Sequence, residues 1–134
     1  TDPRKRISEF VGIAVQYVDP LLNLLFPWSA NVQTGDDGQQ SVVMRVDVVR
    51  LGELTLVGLG AEVFTEIGME IKDERPRVMV AGVTNGCIGY LATPEEHDLG
   101  GYEIDISPYF FRLPSRLQRN AAISVIEIVQ QAIA

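Results

Sequence analysis

The N-terminal part of the chain carries apolar residues at helical spacing. Ile7, Phe10, Val11, Ala14, Val15, Val18, Leu21, Leu22 and Leu25 recur three or four apart or adjacent, the stripe of one buried helix face. Pro20 must interrupt that stripe, and Asp19-Pro20 suits an N-cap followed by proline at the first helical position. The pattern predicts one helix over residues 4–18 and a short second over 20–26. Phe26, Pro27 and Trp28 lead into a polar stretch, residues 33–40, whose turn composition suits a hairpin tip.

From there the period changes to two. Val42, Met44, Val46 and Val48 alternate with Arg45 and Asp47, which predicts a half-buried strand over 42–50. Leu51-Gly52-Glu53 turns the chain, and Leu54 to Leu59 reads as the returning strand. The apolar run Val78 to Val83 predicts a strand covered on both faces. Between these two strands Val63, Phe64, Ile67 and Ile71 form a helical stripe, giving a strand-helix-strand crossover. Ser115-Arg116-Leu117-Gln118 has the spacing of a capping box, and Leu117, Ala121, Val125, Ile128, Val129 and Ile133 continue it as a C-terminal helix. The fold class expected is α/β, a mixed sheet with one crossover and terminal helices.

Composition narrows the function. The 134 residues are 46% hydrophobic and 22% charged, ordinary for one globular domain, so disorder is excluded as the main state. Eleven Lys and Arg against 18 Asp and Glu leave a net charge of −7, the wrong sign for neutralising a phosphate backbone, so nucleic acid is not an expected partner. No run approaches the roughly 18 uninterrupted apolar residues of a membrane span. Arg4-Lys5-Arg6 before apolar residues resembles a signal peptide, but Glu9, Gln16 and Asp19 break the apolar region. Cys87 is the single cysteine, so no intrachain disulfide exists. The opening Thr1-Asp2-Pro3 without an initiator Met leads us to expect a piece of a longer product.

Two glycine-punctuated segments sit where expected strands end, at 58–68 and 84–90. Ligands of open α/β sheets bind outside the carboxyl ends of strands, which nominates Glu62 and Tyr90. Glu62 can serve as metal ligand, general base or substrate anchor, or can simply complement the dipole of a first helical turn. Glu66 and Glu70 share a helix face that reads as solvated. Gly58-x-Gly60 is not a dinucleotide loop, because its third glycine would fall at Val63. The spacing of Cys87 and His97 supports no nucleophile-base pair, and one His with one Cys cannot form a four-ligand structural zinc site.

The runs RLGELTLVGLGAEVFTEIG, from Arg50 to Gly68, and VAGVTNGCIGYLATPEEHDLGGYE, from Val80 to Glu103, resemble the neutral/alkaline (non-lysosomal) ceramidase family. The resemblance covers roughly residues 40–134 and points to the C-terminal part of that family's catalytic domain. It implies zinc as cofactor, with Glu62 of a Glu-x-x-Thr turn ending at Thr65, and Tyr90, as metal ligands. It further implies that Tyr102 faces the scissile amide as a catalytic and substrate-binding residue. The implied reaction is zinc-assisted hydrolysis of an N-acyl lipid, an amphiphilic ceramide-like substrate. Gly60-Ala61 replaces the family's Pro-Gly, Cys87 and His97 stand where Tyr is frequent, and Ala92 stands where Pro is. Two upstream zinc histidines have no match here, so the implied partner is the N-terminal portion of the same domain, or a second copy in a homo-oligomer. A chain without those histidines would instead be a non-catalytic module binding a small molecule or a partner.

Overall fold

Asp2 and Gly12 set the limits of the first helix. The Asp2 carboxylate accepts from the Arg4 backbone N–H at 3.0 Å, and Gly12 takes φ +70° with its N–H on the Ser8 carbonyl, closing α1 (Pro3–Val11). The computed structural model describes residues 2–12, 16, 18–25 and 31–134. The single helix expected over 4–18 is therefore corrected: α1 stops at the left-handed glycine, and α2 (Val18–Leu25) follows. Pro20 falls inside the first turn of α2, where its missing N–H costs no helical bond. Ile7 and Val18 are buried as the stripe requires, but Phe10 and Val11 are exposed. Ala14, Val15, Phe26, Pro27 and Trp28 lie outside the described residues.

The polar stretch is a hairpin tip. It joins β1 (Asn31–Thr34) to β2 (Gln40–Val43), antiparallel with Thr34 opposite Gln40. The strand expected over 42–50 divides after Val43, because β2 pairs only with β1 while β3 (Val46–Leu51) pairs antiparallel with β4 (Leu54–Leu59). Gly52, at φ +61°, makes the two-residue turn between β3 and β4.

The strand β4 then bends through Gly60-Ala61 into β5 (Glu62–Val63), which leads into α3 (Thr65–Lys72) and on to β6 (Val78–Ala81). β6 lies parallel to β4, so the three-stranded sheet has the order β3-β4-β6 and is mixed. Beyond it β7 (Tyr90–Leu91) pairs parallel with β5, and α4 (Pro94–Leu99) is capped by Thr93. A π-helical turn, Tyr102–Ile106, runs into α5 (Ser107–Phe110), and α6 (Ala121–Ile133) ends the chain. The C-terminal helix begins at Ala121, not at the capping-box spacing: Ser115 Oγ bonds the Arg116 carbonyl, and no side chain caps α6. Its buried stripe is Ala122, Ile126 and Val129, while Ile128 faces out.

The protein is α/β with a mixed sheet and a strand-helix-strand crossover. α3 and α6 cover one face of the sheet, where Val57, Leu59, Ile67, Ile71, Val78, Ile126 and Val129 form the main core. A second cluster joins Ile7 and Val18 to Phe110, Phe111 and Leu113. The other sheet face is open. Val49, Leu51 and Met79 there are 47%, 58% and 55% exposed, which overturns the expectation that the Val78–Val83 run is covered on both faces. Among the described residues no helix is long and apolar enough to cross a membrane.

Candidate functional site

The bend at Gly60-Ala61 builds the site. Once β4 leaves its sheet, the carbonyls of Leu59, Gly60 and Ala61 are free, and they accept from Thr84, Ile88 and Val83 at 3.0, 2.9 and 2.8 Å. Those bonds wrap the loop after β6 around the bend and deliver Tyr90 to β5. Gly89 is required at the last step, with φ +104° and space for its missing Cβ only 3.0 Å from the Phe111 ring. Glu62 N–H then bonds the Gly89 carbonyl at 2.9 Å, and in the parallel register Glu62 lies opposite Tyr90.

Neighbours in register present their side chains to the same face, and here the Tyr90 hydroxyl and the Glu62 carboxylate face each other. The carboxylate beside it favours the neutral phenol, and together with burial it pushes the Tyr90 pKa up to about 12. Glu62 belongs to a strand, three residues ahead of α3, so it does not complement a helix dipole. The acid in the first turn of α3 is Glu66, and both Glu66 and Glu70 are exposed.

Tyr102 completes the group. Its ring centroid is 6.1 Å from that of Tyr90 at 76°, an edge-to-face contact, and Phe64 makes a similar contact at 6.3 Å on Tyr90. Burial first, then the charges of Glu62 and Glu103, raise the Tyr102 pKa and keep its hydroxyl protonated at neutral pH. Gly100 and Gly101, at φ +75° and +116°, and the wide π turn set the direction of Tyr102, while Asp105 accepts from the Gly101 N–H at 2.9 Å and pairs with Arg116.

Glu103, His97 and Phe10 also border the group, and spacing gave no sign of them. Tyr90, His97 and Glu103 line a cavity of about 10 Å³, room for one water at most. Burial, reinforced by Arg116 and Arg119, lowers the His97 pKa, so the imidazole is neutral at pH 7. Cys87 packs against the second core cluster with Sγ 4.0 Å from the Gly89 carbonyl. Thr65 is exposed at the start of α3. A larger concavity, about 610 Å³ between the β1–β2 hairpin and residues 113–118, includes none of Glu62, Tyr90 or Tyr102.

Glu62 and Tyr90 offer two converging oxygen donors. Among the described residues no group of three or more His, Cys, Asp and Glu is placed to hold a metal ion. The chain is similar to neutral ceramidase B of Dictyostelium discoideum, with 32% identity over 71 residues, a match that covers 46% of this chain and 10% of that protein. The chain thus spans about a tenth of the length of the curated relative it matches. No family model and no solved structure matches it.

Proposed function

We propose that this chain supplies part of the site of a ceramidase-like amidase that hydrolyses the amide of an N-acyl lipid. The observation that carries the reading is the parallel register that sets Tyr90 beside Glu62 on the neighbouring strand, with Tyr102 in ring contact with Tyr90. The similarity to a neutral ceramidase supports it.

Glu62 and Tyr90 are the residues that would hold zinc: a carboxylate oxygen and a phenol that ligates once its proton is lost. A bound zinc ion supplies Lewis acidity to the reaction. The protonated Tyr102 hydroxyl donates to the oxyanion that develops on the amide carbonyl, a charge absent from the ground state, so its contribution falls on the transition state. Phe64 holds the Tyr90 ring edge-on and limits its rotation away from Glu62. Catalytic zinc sites use three protein ligands, so two oxygens are an incomplete set. The missing ligands belong, in this reading, to an upstream histidine-bearing portion of the same catalytic domain.

Calorimetric titration with zinc tests the assignment. This chain alone binds zinc weakly and cleaves no N-acyl substrate, whereas a longer protein carrying the upstream histidines binds zinc tightly and cleaves the substrate, and E62Q or Y90F in it lowers zinc affinity. Tight stoichiometric binding by this chain that survives E62Q would mean that other residues are the ligands. An ultraviolet titration of the phenols reports the pair itself: Tyr90 ionises near pH 12, and E62Q brings it toward the ordinary value of 10.

A further inference from the structure

An exposed phenylalanine on α1 touches this group. Phe10 is 56% exposed and its ring centroid lies 5.5 Å from that of Tyr102, the two planes only 31° apart. Tyr102 is itself 39% exposed. Both rings rest on Phe110, at 6.3 and 6.4 Å, and Phe110 is buried in the second core cluster, so neither position depends on a bound ligand. The rings therefore form a continuous series from Tyr90, beside Glu62, across Tyr102, to Phe10 at the surface.

That series is polar at one end and hydrocarbon at the other. The cavity on which Tyr90 borders with His97 and Glu103 holds one water at most, so a larger ligand has to lie along the ring faces. Phe10 leaves more than half of its surface open although the buried face of α1 is carried by Ile7.

We propose that Phe10 is a specificity-determining residue of the candidate site, its ring carrying the hydrocarbon chain next to an amide that Glu62, Tyr90 and Tyr102 engage. The ligand class is an N-acyl amphiphile with a flexible apolar arm, and the assignment of the amide end rests on the function proposed above. A chain lying on an open ring surface buries about half of each methylene. Full burial is worth roughly fourfold in affinity per methylene, so the expected gain is about twofold each.

Two probes test this on the 134-residue chain by NMR titration: N-acetyl and N-hexanoyl 2-amino-1,3-propanediol, which differ by four methylenes. The hexanoyl probe is expected to bind about 15-fold more tightly. F10A lowers that ratio to about threefold and F10Q does the same, while F10L keeps most of it because an apolar surface remains. E62Q weakens both probes by one factor and leaves the ratio intact. A ratio near one in the unaltered chain, a ratio unchanged in both F10A and F10Q, equal loss of both probes in those variants, or no binding of either probe overturns the proposal. Collapse of the ratio in F10A with no effect of E62Q on either probe sinks the amidase reading instead and leaves a hydrocarbon site at Phe10.

Discussion

The two faces of the β3-β4-β6 sheet are made of similar residues and have different fates. On one, Leu59, Val57 and Val78 are sealed under α3 and α6. On the other, Val49, Leu51 and Met79 stand open, with Asp47 at their edge. Valine, leucine and methionine occur on an open surface here because strand alternation assigns a residue to a face, not a cover to that face. Stability should therefore be concentrated on one side of the sheet.

Substitution on the two sides measures the contrast most directly. Leu59→Ala should cost about 3 kcal/mol in denaturant unfolding, since it opens a cavity in the main core. Met79→Ala should cost less than about 0.5 kcal/mol, because its side chain already faces solvent. Equal losses would mean that the open face is covered in solution.

The loop that follows β6 joins the two faces and stores strain. Val83 is β-branched and sits at φ +54°, a left-handed conformation that costs such a residue roughly 1–2 kcal/mol. Val83→Gly should stabilise the fold by about 0.5–1 kcal/mol after the entropy of the freer unfolded chain is subtracted, measured as a higher denaturant midpoint. Destabilisation would show that the exposed valine makes a contact worth more than its strain.

At high pH the site should register in stability. The Tyr90 pKa is higher in the folded protein than the ordinary 10, so the contribution of its protonated hydroxyl beside Glu62 is whole below pH 10 and is lost as pH rises through about 12. Y90F should flatten the stability curve over that window. A curve unchanged by the substitution would mean that Glu62 does not act on Tyr90 in the folded protein.

The smallest effect lies on the open face. Asn85 Nδ2 donates to Asp47 at 2.8 Å, and with Arg45 it holds the Asp47 carboxyl below its ordinary value. Asp47 thus favours the folded state above pH 3.8 and loses that contribution as pH falls through its lowered pKa. Asn85→Ala should move the Asp47 titration upward in a carboxyl NMR experiment. No movement would leave Arg45 as the whole cause.

Much of this architecture was legible in the residues. The run from Leu54 to Leu59 is β4 to the residue, Gly52 marks the hairpin, and Ile67 and Ile71 give the crossover helix, because each is a local pattern that its own neighbours satisfy. Glu62 and Tyr90 could be nominated since each follows a glycine-rich turn after an apolar strand. Three-dimensional pairing decided the rest. The alternation from Val42 to Arg50 is one signal in the sequence but serves two sheets, and period two does not say which partner takes which half. Ser115 to Gln118 has the spacing of a cap, yet α6 starts only at Ala121, just before Ala122 finds the core. Phe10 reaches Tyr102 across more than ninety positions because Phe110 supports both rings. Periodicity fixes which residues share a face; it carries no information on which distant face will meet them, and that meeting sets both the open sheet and the aromatic series at the site.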